Sequence, residues 1–420
     1  MKTFRFLTVT AVSALLLCPA ALASSFDRPV GIRIGQRMTL KPYVSAAATF
    51  DSNVESGRHG KSDVCWTVNP GLSLDYLAES WQVLADAYYQ YNTYCKSHNS
   101  SDYNFHGYGE NLFFKWSNSL PGEKGWGLML TEGFRRINPT ENMTSDNGYS
   151  YATDRSELRV AAGLQRRFGH GLHADINAAY YWLDFDEWRN ENHAGLYGWS
   201  RWTAGGEVGW APTEMLDILV SAGYQGYQQE NNHSQAYDRS LSGRSDGWSI
   251  QGGIGSMATE RITYRLLGGL SRFEYGGSNG KSMNGFTYSA TGHWKISETW
   301  NTMLLATSYF QPTEREYGSA QRVDALSWGL GKTMVRGKLT SNFDVSYRRE
   351  TEEYSHEGQY DYDLDVLTFR LGLNYVLNRY LTVYGNVEYR QSFTDSNDRG
   401  VRDAYEYERF RGTIGLRLTY

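Results

Sequence analysis

Gly243-Arg244-Ser245-Asp246-Gly247 has the G-x-S-x-G spacing that presents a nucleophilic serine on a strained strand-to-helix turn. That chemistry needs a helix directly after the serine. Here another strand-like run follows, so the five residues read as a polar outer loop. His170 and His173 flank a tight turn, but zinc needs three or four converging ligands, and no cysteine or carboxylate cluster adjoins them. Both histidines read as turn residues. Asp51-Ser52-Asn53, Asp146-Asn147 and Asp395-Ser396-Asn397-Asp398 lack the spacing and glycine of a calcium loop and read as polar loop tips. No catalytic group, metal or cofactor is expected.

Charged residues with a periodic placement carry more. Arg348, Arg370, Arg390, Arg411 and Arg417, with Glu388 among them, each fall on the polar side of an alternating segment. Arg159, Arg167, Asp175, Arg201, Glu207, Asp217, Arg265 and Asp344 do the same upstream. If those sides line a water-filled path, charge along it sets ion preference. An arginine wall on the last four strands favours anionic solutes or acidic glycans. The alternative is that Asp344, Glu388 and other carboxylates pair with the arginines and only stabilise the fold.

The segments that must hold these residues alternate with period two. Leu381, Val383, Gly385, Val387 and Tyr389 form one face, and Thr382, Tyr384, Asn386, Glu388 and Arg390 the other. Phe410, Ile414, Leu416, Leu418 and Tyr420 alternate with Arg409, Arg411, Thr413, Arg417 and Thr419. A helix would spread both sets around its circumference, so these are strands. They run about 9–14 residues, the length a tilted strand needs to cross a bilayer. Residues 127–137 and 362–377 alternate imperfectly and are each expected to hide a bulge.

Short connections centre on residues 78–80, 169–171, 211–214, 259–260, 297–299, 336–337 and 378–379. Long polar ones lie near 51–61, 139–154, 187–197, 230–246, 313–321, 350–360 and 394–403. Short periplasmic turns and long outer loops are the asymmetry of an outer-membrane barrel. Tyr76 and Trp81, Trp116 and Trp126, Trp294 and Trp300, and Tyr380 mark the short turns, where amphipathic rings sit at headgroup depth.

Composition agrees. Aromatic residues are 15% of the chain, with 32 Tyr and 44 Gly against 8 Pro, a balance suited to many long strands at a membrane interface. The mean hydropathy of −0.56 is what a barrel gives, because its two faces cancel in any window. A net charge of −5 with scattered Lys and Arg excludes a nucleic-acid footprint. At the N-terminus, Lys2 and Arg5 precede an apolar run to Leu22 and the small-x-small pattern Ala21-Leu22-Ala23. Residues 1–23 read as a signal peptide cleaved between Ala23 and Ser24. Leu17 before Cys18 is not the small residue a lipobox needs. Residues 24–38 read as a periplasmic lead-in and 39–420 as one barrel domain. Cys65 and Cys95 remain, and an oxidising periplasm can join them, although alternation puts them on opposite faces. The disulfide stays open at this point.

Gly31-Ile32-Arg33-Ile34-Gly35, Leu40-Lys41-Pro42, Phe50-Asp51-Ser52-Asn53-Val54, Ser62-Asp63 and Asn69-Pro70-Gly71-Leu72 resemble the start of the β-barrel porin type 2 family of the outer membrane. This resemblance covers residues 31–76; beyond it the agreement is architectural. Thr413, Gly415, Leu418 and Tyr420 are similar to the C-terminal assembly signal of outer-membrane barrels, with Tyr420 where that family more often has Phe. The resemblance implies an outer-membrane pore, in some members linked to surface polysaccharide export. It carries no catalytic or binding residues.

The expectation is an all-β, closed antiparallel transmembrane barrel of about 18 strands, with 16 possible. Its expected role is a passive, porin-like channel for small hydrophilic solutes, anionic ones included, not an enzyme, with no cofactor. The expected partners are outer-membrane lipid, the barrel assembly machinery during biogenesis, and small solutes or glycans. Nucleic acid is not expected and the oligomeric state is open. A component of surface polysaccharide export and a structural or adhesive barrel are the alternatives. Lumen-facing Tyr88 and Tyr384 are the residues that bear on export.

Overall fold

The structure, a computed structural model, describes residues 31–53, 62–95, 105–118, 124–137, 143–144, 150–151, 155–185, 198–213, 215–229, 243–256, 261–275, 281–312, 320–335, 337–353, 362–395 and 406–420. The signal cleavage site at Ala23 and Ser24 lies outside the described residues.

The wall begins with β1 (Met38–Asp51), β2 (Asp63–Leu77), β3 (Trp81–Tyr94), β4 (Phe105–Ser117), β5 (Gly125–Ile137) and β6 (Arg155–Gly169). It continues with β7 (Leu172–Phe185), β8 (Trp199–Thr213), β9 (Leu216–Gln229), β10 (Arg244–Gly255), β11 (Ile262–Tyr275) and β12 (Lys281–Lys295). It ends with β13 (Trp300–Pro312), β14 (Ala320–Met334), β15 (Leu339–Glu353), β16 (Tyr362–Val376), β17 (Leu381–Thr394) and β18 (Tyr407–Thr419). Each strand pairs antiparallel with the next, and β18 returns to β1 from Tyr43↔Thr419 to Asp51↔Arg411. The barrel is therefore closed, with 18 strands as expected. The lead-in contributes a short strand, Ile32–Ile34, that pairs with Met38–Leu40, beyond the last β18 partner on β1.

Closure follows from the solvent. A backbone N–H or C=O facing hydrocarbon has no water to bond, so strands can cross only in a sheet without edges. The alternation then sorts side chains. Val208, Val220, Ile250, Leu270, Leu304, Leu371, Ile414 and Leu416 point outward and are exposed, as lipid-facing residues of an isolated barrel must be. Near the short turns the outer surface carries Trp81, Trp126, Trp210 and Trp294, and toward the loops Tyr89, Tyr108, Trp202, Trp248 and Phe410. Basic side chains lie over rings of the short-turn girdle, with Arg166 at 4.7 Å from the Trp126 centroid and Lys332 at 4.2 Å from that of Trp300. Cations beside interfacial rings suit a headgroup layer.

The expected bulges in β5 and β16 are not found; both strands keep a continuous register. Their alternation fails for other reasons. In β5, Glu132 takes an outward position diagonal to outward Glu110 of β4. In β16, the apolar Leu364 and Val366 take inward positions, where they are buried at 3% and 8% exposure. The register shifts instead at Leu172/His173 and between Trp210 and Thr213, both at one short-turn rim.

One ion pair fastens the closure at the loop end. Arg409 of β18, 1% exposed, sends Nε to Asp51 Oδ1 at 3.0 Å and to Oδ2 at 3.1 Å, and Asp51 itself is 2% exposed. Asn53 closes the corner, its backbone N–H donating to Asp51 Oδ1 at 3.1 Å and its side-chain Nδ2 to the Glu408 carbonyl at 3.0 Å. Asp51-Ser52-Asn53 is thus committed to the seam. Truncating one partner of a buried pair strands the other charge. Arg409→Ala is therefore expected to lower barrel stability by about 3 kcal/mol. Asp51→Asn combined with Arg409→Gln should cost less than the two single changes summed, in denaturant titrations of the detergent-folded barrel followed by tryptophan fluorescence.

Candidate functional site

The inner wall is the candidate site. Arg348, Arg370, Glu388, Arg390, Arg411 and Arg417 all face inward on the four adjacent strands β15–β18, as alternation requires. The arginines are engaged by carboxylates or rings. Arg370 Nε lies 2.6 Å from Glu388 Oε2, Arg348 Nη2 lies 2.7 Å from Glu350 Oε1, and Arg411 Nε is 3.4 Å from Asp51 Oδ2. Arg417 lies over the Tyr43 ring at 4.0 Å and Arg390 over Tyr407 at 5.7 Å. Arg348, Arg370, Arg390, Arg409, Arg411 and Arg417 are met on this wall by Asp344, Glu350, Glu352, Glu388 and Asp51. The arginine wall is therefore real as a juxtaposition, but it is an ion-paired surface close to neutral. Elsewhere in the lumen Lys41 pairs with Asp75, Arg135 with Glu157, and Arg265 with Glu207.

Glycine lets inner side chains reach across a strand. A Cβ on Gly71 would stand 2.3 Å from Tyr43 Cζ, so the Tyr43 ring lies over that glycine and its hydroxyl donates to Asp86 Oδ2 at 3.1 Å, two strands away. His173 of β7 does the same. Its ring occupies the place of a Gly209 Cβ on β8, 2.2 Å from Nε2, and Nε2 comes within 2.8 Å of Asp217 Oδ2 on β9. Asp175 Oδ2 stands 3.6 Å from the other ring nitrogen. His173 and Asp217 are both 6% exposed. His173 is thus not the turn residue expected. His170 is, in the left-handed region at φ 52° between Gly169 and Gly171. Asp175 two residues along the same face was a legible signal; Asp217, two strands away, was not.

Tyr88 and Tyr384 face inward, but each packs over a glycine of the neighbouring strand, Gly109 and Gly415 respectively. Their rings line the wall and do not form a row. Between β6 and β13 the lumen holds a cavity of about 390 Å³. Asn177, Ser221, Ser249, Gln251 and Thr287 line it, the His173 cluster lies at its short-turn end, and Tyr309 and Phe310 at its loop end.

Other readings from sequence are corrected or placed. Ser245 is no loop residue: it lies in β10 opposite Tyr227, 2% exposed, with no turn to present it. Cys65 is a buried thiol and Cys95 an exposed one, and they are not joined. Cys65 pairs across the ladder with Tyr94, so Cys95 falls one step on, toward the opposite side. Thr413 and Gly415 face inward, Leu418 outward, and Tyr420 donates its N–H to the Pro42 carbonyl at 2.9 Å while its ring stacks on Tyr380.

A closed antiparallel barrel with an apolar, aromatic-girdled outside and a polar, ion-paired inside defines a transmembrane barrel of the porin type. Residues 220–420 match the family model described as "Putative beta-barrel porin 2". The protein is accordingly a porin-like β-barrel of the outer membrane. The match falls on β9–β18, not on residues 31–76 that carry the motif resemblance.

No curated protein matches the sequence. Among solved structures, the FrpB iron transporter from Neisseria meningitidis (F3-3 variant) is 10% identical with a TM-score of 0.44, over 87% of this chain and 63% of that one. The chain thus spans less than two thirds of that transporter. OpdK from Pseudomonas aeruginosa, solved with vanillate, is 12% identical with a TM-score of 0.42, over 91% of this chain and 99% of that one. The siderophore receptor PirA from the same organism is 10% identical with a TM-score of 0.41, over 92% and 81%. Likeness of this degree carries no argument about solutes.

The His173 bridge yields a direct test. Gly209→Ala puts a methyl where the imidazole lies, so the ring must leave Asp217. Overpacking of this kind is expected to destabilise the barrel by roughly 1–3 kcal/mol. Because both changes break the same bridge, Gly209→Ala combined with His173→Ala should cost less than the two single changes summed, measured as the thermal midpoint in detergent.

Proposed function

We propose that the protein is a passive channel for small hydrophilic solutes and that it catalyses nothing. The observation that carries this reading is the combination of a closed eighteen-strand wall with an inner face of paired charges, hydroxyls and amides. A barrel of this strand number encloses an aqueous lumen unless its own elements fill it. The inner charges are engaged with one another, so they hold the wall and leave little net field. Selectivity between ions is accordingly weak, with a lean toward anions where Arg348 and Arg370 stand about half exposed to the lumen. The outward apolar band meets lipid. The barrel assembly machinery receives the chain through its last strand, where Thr413, Gly415, Leu418 and Tyr420 complete the closure.

In planar bilayers the purified barrel is expected to give steady ohmic steps. Arg348→Ala with Arg370→Ala should move the permeability ratio toward cations by roughly twofold at 0.1 M salt, where charges act over about 10 Å, and hardly at all at 1 M. A correctly folded barrel that passes neither ions nor small sugars overturns the channel reading.

A further inference from the structure

At one place the wall overlaps itself. The β12–β13 ladder covers only seven positions, from Ser289↔Thr307 to Lys295↔Asn301, all in the short-turn half. In the loop half, Lys281–Tyr288 of β12 keeps its pairing with β11 but has none with β13.

β13 has gone inside. Alternation gives Ser308, Phe310 and Pro312 the same face as Leu304, which is 46% exposed to lipid. That face pairs with Ala320 of β14 through Pro312. Yet Phe310 is 4% and Ala320 0% exposed, and both pack against Tyr227, Phe273, Tyr275 and Met283, which point inward from β9, β11 and β12. Residues of an outer face rest on residues of an inner face. The Gln225 side chain of β9 donates to the Phe310 carbonyl at 3.0 Å, with three strands between them in the wall order. Outside, Arg322 of β14 donates to the Phe286 carbonyl of β12 at 3.4 Å, past β13.

We propose that the loop half of β13 is a gate. It moves between this inward position, where it narrows the lumen above the cavity, and a place in the wall beside β12. Continuing the existing register would set Phe310 opposite Phe286 and Ser308 opposite Tyr288. Phe286 is 58% exposed on the lipid face, so the wall position would make Phe286 and Phe310 cross-strand neighbours, as the alternation of both strands calls for. The two positions exchange one stabilising term for another. Inside, Phe310 joins an apolar cluster; in the wall, the stretches of β12 and β13 that share no ladder gain ladder hydrogen bonds that hydrocarbon cannot supply. Two packings of one segment balanced in this way form a switch.

The gate rests on the channel reading, and its test keeps the two apart. Phe286→Cys with Phe310→Cys places one thiol on the outside and one inside when the gate is in, and side by side when it lies in the wall. Thr291→Cys with Leu305→Cys, already opposite each other, controls for cross-linking chemistry. Folding of every variant is checked by the mobility shift of the intact barrel on unheated gels. Oxidation of the folded 286/310 pair is expected to form the disulfide and raise single-channel conductance severalfold, reversed by reductant, with Phe310→Cys alone unaffected by oxidant. Failure of that pair to cross-link in a folded barrel while the control pair does, or a disulfide that leaves conductance unchanged in a conducting barrel, overturns the gate. If no variant conducts, the channel reading fails, and disulfide formation alone then decides whether the strand moves.

Discussion

Hydrocarbon cannot hydrogen-bond a peptide group, and this structure is arranged around that fact. Every strand must spend its backbone groups on two neighbours, so the sheet has to return to its start, and β18 does so against β1 from Arg411 to Thr419. The last residue and the first wall strand meet at the rim, with Tyr420 bonded to Pro42. The lead-in strand occupies the stretch of β1 that β18 does not reach. Where the ladder is interrupted, between β12 and β13, the neighbouring strands compensate by overlapping.

Closure leaves the inner face with a different task. Charges there see a confined aqueous space with low-dielectric walls, and they settle in pairs across adjacent strands. Asp51 with Arg409 and Glu388 with Arg370 are ladder neighbours in kind, held by register rather than by loops. Glycine extends their reach, because a strand without a Cβ at one point can be crossed by a ring from the strand before it. Tyr43 over Gly71 and His173 over Gly209 bind strands that share no ladder, which stiffens the wall against shear.

Much of the inner face was legible in the one-dimensional pattern. Each proposed inward charge on β15–β18 does point inward, because a period of two leaves only one choice of face once a single residue is assigned. The pairing of those charges was not legible. It depends on which residue stands opposite which, and an offset of two residues would have set Arg370 opposite Asn386 or Arg390 in place of Glu388. His173 was misread for the same reason: its decisive partner, Asp217, is 44 residues on. Bulges were expected where alternation faltered, in β5 and β16. There the true causes were an outward Glu132 and inward, buried Leu364 and Val366, both set by surroundings that a strand's own residues do not describe.

The alternation, the strand lengths and the rhythm of short and long connections were enough to require a barrel, its approximate size and its orientation of faces. These are local quantities, set by the pleat and by bilayer thickness. Three dimensions alone decided the partner of each charge, the bridge from His173 to Asp217 and the inward fold of β13. Each of those depends on residues distant in the chain meeting at one place, and the energy that selects them exists only once the wall has formed.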